Sequence, residues 1–333
     1  MRHDKDIDYL HAAARVAYLE NQLITKDDLF KAINAGSAEE AFRLLSGKGM
    51  FRDRKIEAYE QVFEESLTET YELVEDMTGH QGLTCMFRYP IDGHNLKVMV
   101  KGKLVSGDCS NLYKTGGTVP AEILQKELDS RRFETVPGIL GDAGLQAEEL
   151  LARTKDSQGV DRIIDQAVIA LMCENAIQLD LEVLAKYVMV RIDWINMKSA
   201  LRLMRRGKEI QKAAGVFSEG GSCSVGQLNR AYAGGYDGLA AIAESMPYGI
   251  HLAEAVRLVG QGQPMTVFEE QEDGCFRELF ERWKFIPFGA EPIIAYLYQK
   301  EQEIKACRLV LVSKGFGVSN DQIRERLGCL YGN

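Results

Sequence analysis

Apolar positions recur at spacings of three and four along most of this chain, which is the period of an amphipathic α-helix. In the first helix that we predict, the apolar stripe consists of Leu10, Ala14, Val16, Ala17, Leu19 and Leu23. Thr25 and Ser37 each stand three residues before a carboxylate, the pattern of a capping box at a helix start. Two short helices are therefore predicted over 26–34 and 38–46.

The same periodicity predicts long helices in the rest of the chain, over 55–78, 161–180, 181–206, 264–283 and 290–313. Only residues 83–89, with the sequence LTCMFRY, resemble a strand. This segment has no obvious pairing partner elsewhere in the sequence, so we interpret it as a connector or a helix end. The predicted fold class is all-α.

Composition narrows the function classes. The 333 residues are 46% hydrophobic and 27% charged, as in a globular protein of two or three domains. The net charge of −9 has the wrong sign for a nucleic-acid-binding protein. No apolar run has the length of a membrane span, and the N-terminus lacks the features of a secretion signal. The seven cysteines include no C-x-x-C pair, so reduced thiols in the cytoplasm are expected.

A short signature is repeated along the chain. The sequence DGHNLK contains Asp92, Asn95 and Lys97, and DWINMK contains Asp193, Asn196 and Lys198 in the same order. A weaker third copy, EIKACR, runs from Glu303 to Arg308. Internal repetition of this kind indicates that one structural unit is used several times.

Each copy is followed by glycines, at 116–117, 220–221 and 315–317, and then by an aliphatic residue, which is Leu124, Leu228 and Ile323 respectively. Pro120, or a capping box beginning at Ser224 or Ser319, stands between them and predicts that a short helix follows each turn. We therefore predict three helical repeat domains over 1–130, 131–235 and 236–333. A pseudo-threefold axis would arrange them as a ring or funnel, and stacking would form a solenoid.

The repeated Asp and Asn share one helix face, where a metal site or an acid–base pair is conceivable. A repeated structural junction is the favoured interpretation, because a carboxylate in a first turn complements the helix dipole and Lys97 or Lys198 supplies an opposite charge nearby. The glycine turns match no nucleotide-binding motif, and the five histidines show no ligand spacing. No catalytic, cofactor or metal site is predicted. Arg202, Arg205 and Arg206 end one predicted helix and are candidates for a partner contact.

The C-terminal part of the chain resembles a known family. The run 287–304, PFGAEPIIAYLYQKEQEI, is followed by Arg308 and by KGFG at 314–317, and closely resembles the end of the C subunit of archaeal and bacterial V-type ATPases. The eukaryotic equivalent is the d subunit. The first helix and the D-x-x-N-[LM]-K copies are also similar to that family, from about residue 8 to residue 331. Ala306 departs from the family's usual Asn.

This resemblance implies three related helical domains arranged as a funnel, without an active site or cofactor. It implies a non-catalytic rotor subunit that couples the central-stalk subunits to the membrane proteolipid ring, at the cytoplasmic side and peripheral to the membrane. Two alternatives remain. The chain could be a helical-repeat adaptor unrelated to ATPases, or an enzyme in which Asp92 and Asp193 converge on one cleft.

Overall fold

A computed structural model describes residues 9–51, 59–104, 109–207 and 215–331, and all regular elements in these ranges are helical. The α-helices are α1 (Leu10–Glu20), α2 (Lys26–Ile33), α3 (Ala38–Leu45), α4 (Tyr59–Thr78), α5 (Gly82–Gly102), α6 (Ala121–Ser130), α7 (Gly138–Thr154), α8 (Ser157–Leu179), α9 (Glu182–Arg205), α10 (Val225–Ala233), α11 (Gly235–Glu244), α12 (Gly249–Gly260), α13 (Met265–Lys284), α14 (Glu291–Gly315) and α15 (Asn320–Tyr331). Short 3₁₀ turns occur at Gly49–Phe51 and Ser110–Leu112. The all-α prediction is confirmed.

Side-chain caps fix the starts of the short helices where the sequence predicted them. Thr25 and Asp28 form a reciprocal capping box before α2, and the Ser37 side chain accepts a hydrogen bond from the Glu40 amide before α3. Ser224 and Gln227 form a second capping box before α10. Each cap satisfies amides that the first helical turn leaves without a partner, which explains why local sequence determines these boundaries.

The strand-like segment 83–89 forms the first turns of α5, a helix that continues through Pro90. Leu83, Met86 and Phe87 are all buried, and their spacing of three and four places them on one helical face. The β-like composition is therefore overridden by helical packing. The predicted helix over 55–78 is observed from residue 59, and its first residues lie outside the described ranges.

The predicted apolar face of α1 is wrong in part. Leu10 is 52% exposed and Ala14 and Ala17 are exposed, whereas Ala12, Ala13 and Val16 are buried. The buried face packs against α14. Small side chains permit two helices to approach closely. The alanine face of α1 therefore packs against α14, and the face that carries Leu10 is left exposed.

The chain divides into two compact units, and the first contains the described residues of 1–80 and 265–333. Its central element is α14, which packs against α1, α2, α3, α4, α13 and α15. More than half of the α14 residues are buried, and they include the charged residues Lys300 and Glu303. A helix buried over most of its surface has no simple apolar stripe, and its buried polar groups require partners within the unit.

The second unit contains the described residues of 81–264, from α5 to α12. Helix α5 packs against α6, α7 and α8, while α9 packs against α8, α11 and α12. The long helices α5 and α9 each bury an Asp and an Asn of the repeated signature. The three-domain boundaries and the funnel arrangement stay predictions.

Candidate functional site

The first signature fastens α5 to the glycine turn that follows it, and Asp92 lies in the middle of α5, so the prediction of a first-turn carboxylate is wrong. Asp92 is fully buried, and its Oδ2 accepts hydrogen bonds from the Thr118 amide at 3.0 Å and the Thr118 hydroxyl at 2.5 Å. Its Oδ1 accepts from the Val119 amide at 3.3 Å. Asn95 donates to the Lys114 carbonyl and accepts from the Lys114 amide, both at 2.8 Å. Two side chains on one helix face thus hold both ends of the turn.

Two further features restrict this turn. The Arg88 guanidinium donates to the carbonyl of Gly117 at 2.6 Å, which joins the turn to the preceding part of α5. A Cβ atom added at Gly117 would lie well inside van der Waals distance of Asp92 Oδ1. Glycine is therefore required here because the carboxylate approaches the backbone closely, and not only because glycine favours turns.

The second signature makes the equivalent contacts. Asp193 Oδ1 accepts from the Ser222 amide at 2.8 Å, and Oδ2 accepts from the Ser222 hydroxyl. Asn196 exchanges two hydrogen bonds of 2.8 Å with the amide and carbonyl of Ser218. Gly221 leaves no room for a Cβ atom beside Asp193 Oδ1. The two copies therefore agree in their contacts as well as in their sequence.

Burial raises the pKa of both aspartates. For Asp92, the hydrogen bonds from Thr118 and Val119 and the charge of Arg88 oppose this effect without cancelling it. For Asp193, the two hydrogen bonds from Ser222 oppose it in the same way. A raised pKa in a structural carboxylate indicates that desolvation outweighs the bonds that the ionised form accepts.

The third signature bonds a different part of the chain. Glu303 Oε1 accepts from the Ile24 amide at 2.7 Å, and Oε2 accepts from Lys300 Nζ at 2.7 Å. The glycine turn that follows closes α14, where the Val318 amide donates to the Ser313 carbonyl at 2.9 Å. Ile24 lies 279 residues before Glu303, and the spacing of the repeat gave no indication of this contact.

The remaining signature residues lie nearer the surface. Lys97 forms an ion pair with Asp165. Lys198 is half-buried on α9. Arg308 pairs with Glu60 at 3.0 Å, and its guanidinium lies 5.0 Å from the centre of the Phe63 ring. Lys97 and Arg308 therefore connect helices around the junctions through contacts other than the glycine turns.

The basic group at the end of α9 faces solvent. Arg202, Arg205 and Arg206 are at least partly exposed, and Arg206 donates to the Gln158 side chain at 2.6 Å. Cations in the last turn of a helix complement the negative end of its dipole. A role of these residues in partner contact stays a prediction.

Each aspartate of the repeat is occupied by its own turn. Asp92 is bound by Thr118 and Val119, and Asp193 by Ser222. The enzyme alternative required both carboxylates in one cleft, and these separate bonds remove its basis. Within the described ranges, no group of three or more His, Cys, Asp or Glu side chains is placed to hold a metal ion. No described helix is both long and apolar enough to cross a bilayer.

We expect Asp92→Asn to destabilise the protein by about 1–2 kcal/mol more than Asp193→Asn. Both carboxylate oxygens of Asp92 accept hydrogen bonds from backbone amides. The NH₂ group of an asparagine at this position must therefore face one of these donors. At Asp193 the NH₂ can donate to the Ser222 hydroxyl oxygen instead. Urea unfolding of the two variants measures the difference, and equal losses would contradict the proposed bonding.

The second aspartate also gives a pH dependence of definite sign. The pKa of Asp193 is raised in the folded state. Its contribution to the stability of the folded protein is therefore fully present below the pKa of the unfolded state, and it is lost as pH rises through the pKa of the folded state. The carboxamide of the Asp193→Asn variant does not titrate. The stability difference between wild type and this variant should therefore shrink as pH increases from about 4 to 7. Urea unfolding over this pH range measures it, and a difference that grows would contradict the raised pKa.

These junctions define the class of protein: an all-α chain in which long helices hold turns through buried polar side chains. The sequence matches the profile of the ATP synthase (C/AC39) subunit family over residues 12–326. The chain therefore belongs to this family, and it is a subunit of a rotary ATPase.

Individual relatives cover most of the chain at low identity. The C subunit of the V-type sodium ATPase of Enterococcus hirae is 21% identical over 94% of this chain and 95% of its own length. The C subunit of the A-type ATP synthase of Halobacterium salinarum is 22% identical over 96% of this chain and 97% of its own length. That of Halorubrum lacusprofundi is 25% identical over 74% of this chain and 73% of its own length. The family resemblance seen in the sequence is confirmed.

Proposed function

We propose that this protein couples the central stalk of the rotary ATPase to the membrane proteolipid ring and transmits torque between them. Membership of the ATP synthase (C/AC39) subunit family supports its place in this complex. Torque transmission is supported by the junction between a long helix and the following turn, which occurs twice with matching hydrogen bonds, at Asp92 and at Asp193. No chemistry by this chain is needed for this function.

A torque-transmitting part must resist twisting, and buried hydrogen bonds between a long helix and a following turn supply that resistance. Asn95 and Asn196 each fix both polar groups of one backbone residue. Close-packed interiors have low compressibility and pass strain on to their neighbours. Rigid junctions of this kind suit a coupling part, and the proposed mechanism is rigidity.

The test is co-purification of the full-length chain from its source cell. Tagged protein is recovered from membranes solubilised in mild detergent, and native mass spectrometry identifies the attached subunits. We expect the proteolipid ring and the central-stalk subunits to accompany it. Recovery of the chain alone, or with unrelated proteins only, would contradict the proposal.

The predicted partner contact can be examined in the same preparation. Charge reversal of Arg202, Arg205 and Arg206 should reduce the recovery of at least one partner several-fold, because charges at an interface rim govern association. Reversal of Arg131, Arg132 and Arg153, which are exposed in the second unit, changes the charge by the same amount and is the matched control. Equal recovery with both variants would exclude the α9 basic group from the interface.

A further inference from the structure

Three turn-to-helix segments of this chain have the same register. The residue directly before the N-cap is buried in each case: Val119 before α6, Cys223 before α10 and Ile24 before α2. The residue four places after the N-cap is a buried leucine in each case, at positions 29, 124 and 228. The segment before α2, at the beginning of the chain, thus matches the two glycine-turn segments in burial.

The acid that binds this segment also matches. Asp92 on α5 accepts from the Val119 amide, and Glu303 on α14 accepts from the Ile24 amide, which is the equivalent position. In both cases the acid lies on a long helix and is itself buried, and the donor immediately precedes a helix N-cap. The contact at Glu303 is therefore equivalent to the first junction, with its two parts in reversed chain order.

The equivalence also accounts for Ala306. Asn95 and Asn196 satisfy the backbone of Lys114 and Ser218, each five residues before the buried residue that precedes the N-cap. The corresponding residue in the early segment is Leu19, which lies within α1 and whose carbonyl accepts from the Gln22 amide at 2.9 Å. The backbone groups of Leu19 already have hydrogen-bond partners in and beside α1. An asparagine at position 306 is therefore not needed to bind them. Ala306 is fully buried there.

We infer that Glu303 is a latch, through which the beginning of the chain completes the third repeat and closes the first unit. This latch joins residues 19–33 to α14. The two segments are far apart in the sequence, so side-chain contacts and packing hold them together. Lys300, itself buried, pairs with the same carboxylate and keeps its charge compensated.

The latched segment has space beside it. Leu23 and Thr25 line two clefts of about 510 and 280 Å³ in the first unit. Movement of residues 21–25 into such space disturbs less packing than movement within a filled core. Local opening of this segment should therefore occur without unfolding of the whole unit once the latch bond is lost.

Native-state hydrogen exchange of the full-length protein, read by mass spectrometry, tests the latch. In Glu303→Met, which has no oxygen acceptor, and in Glu303→Asp, we expect exchange of peptides covering 22–29 to be about 10- to 100-fold faster, as loss of a buried charged bond implies. The aspartate retains the charge but is one methylene shorter and does not reach the Ile24 amide. Lys305→Gln, an exposed change on the same helix, should leave exchange unaltered.

Three results would overturn the inference. Exchange in 22–29 could be unchanged, the acceleration could fall on 314–319 instead, or it could be uniform through both units. The second result would indicate that Glu303 holds the glycine turn that follows it instead of Ile24. The measurement uses the isolated chain, so its outcome does not depend on the proposed role in the ATPase.

Discussion

Gly117→Ala should lower the free energy of unfolding by about 2–4 kcal/mol, because the new methyl group would displace a buried carboxylate from three hydrogen bonds. The added Cβ overlaps Asp92 Oδ1, and the adjacent residues Thr118 and Val119 supply the donors. The carboxylate cannot move aside cheaply, because its bonds end on the same turn that carries the substitution. Urea unfolding monitored by circular dichroism measures the change.

The second junction allows the same substitution to be compared at an equivalent glycine. Gly221→Ala should have a similar effect, since its Cβ would meet Asp193 Oδ1 in the same way. Gly138→Ala is the control, because a Cβ there meets nothing within 4 Å and the residue lies in helix α7. A loss at Gly117 no larger than the change at Gly138 would show that the turn is not constrained by its aspartate.

Asn196→Asp should destabilise the protein by about 3–5 kcal/mol at pH 7, because it places a charge in a fully buried site. The carboxylate retains an acceptor for the Ser218 amide but loses the donor to the Ser218 carbonyl. It also adds a second negative charge one helical turn from Asp193. Asn111→Asp, in an exposed 3₁₀ turn of the same unit, makes the same chemical change and should have little effect. Urea unfolding of both variants at pH 7 measures the two losses.

The loss at position 196 should diminish at lower pH. Burial raises the pKa of the introduced carboxyl above its unfolded value of about 3.9, so the folded state binds the proton more tightly. The protonated acid can donate to the Ser218 carbonyl as the amide did. Its stabilising contribution is therefore present at low pH and is lost as pH rises. A difference from wild type that is constant between about pH 5 and 7 would contradict this account.

The amino-acid sequence by itself determined the helical class and most helix boundaries, and it contained both copies of the D-x-x-N-[LM]-K signature without showing which groups they bond. Periodic apolar positions and capping residues act within a few residues of each other, so they need no tertiary information. The repeat was readable because both partners of each junction follow the same order along the chain, with Asp92 before Gly117 and Asp193 before Gly221. The family resemblance depended in part on the same residues.

The tertiary structure decided which face of α1 is buried and which segment Glu303 binds. Both depend on α14, whose buried surface receives the alanine face of α1 and the Ile24 amide from the opposite end of the chain. Sequence spacing predicts neighbours within an element, whereas a contact between distant segments is determined by how packed helices exclude water and satisfy buried polar groups. The glycine turn after Glu303 has the same sequence pattern as the other two turns, but the backbone amide that Glu303 binds belongs to Ile24.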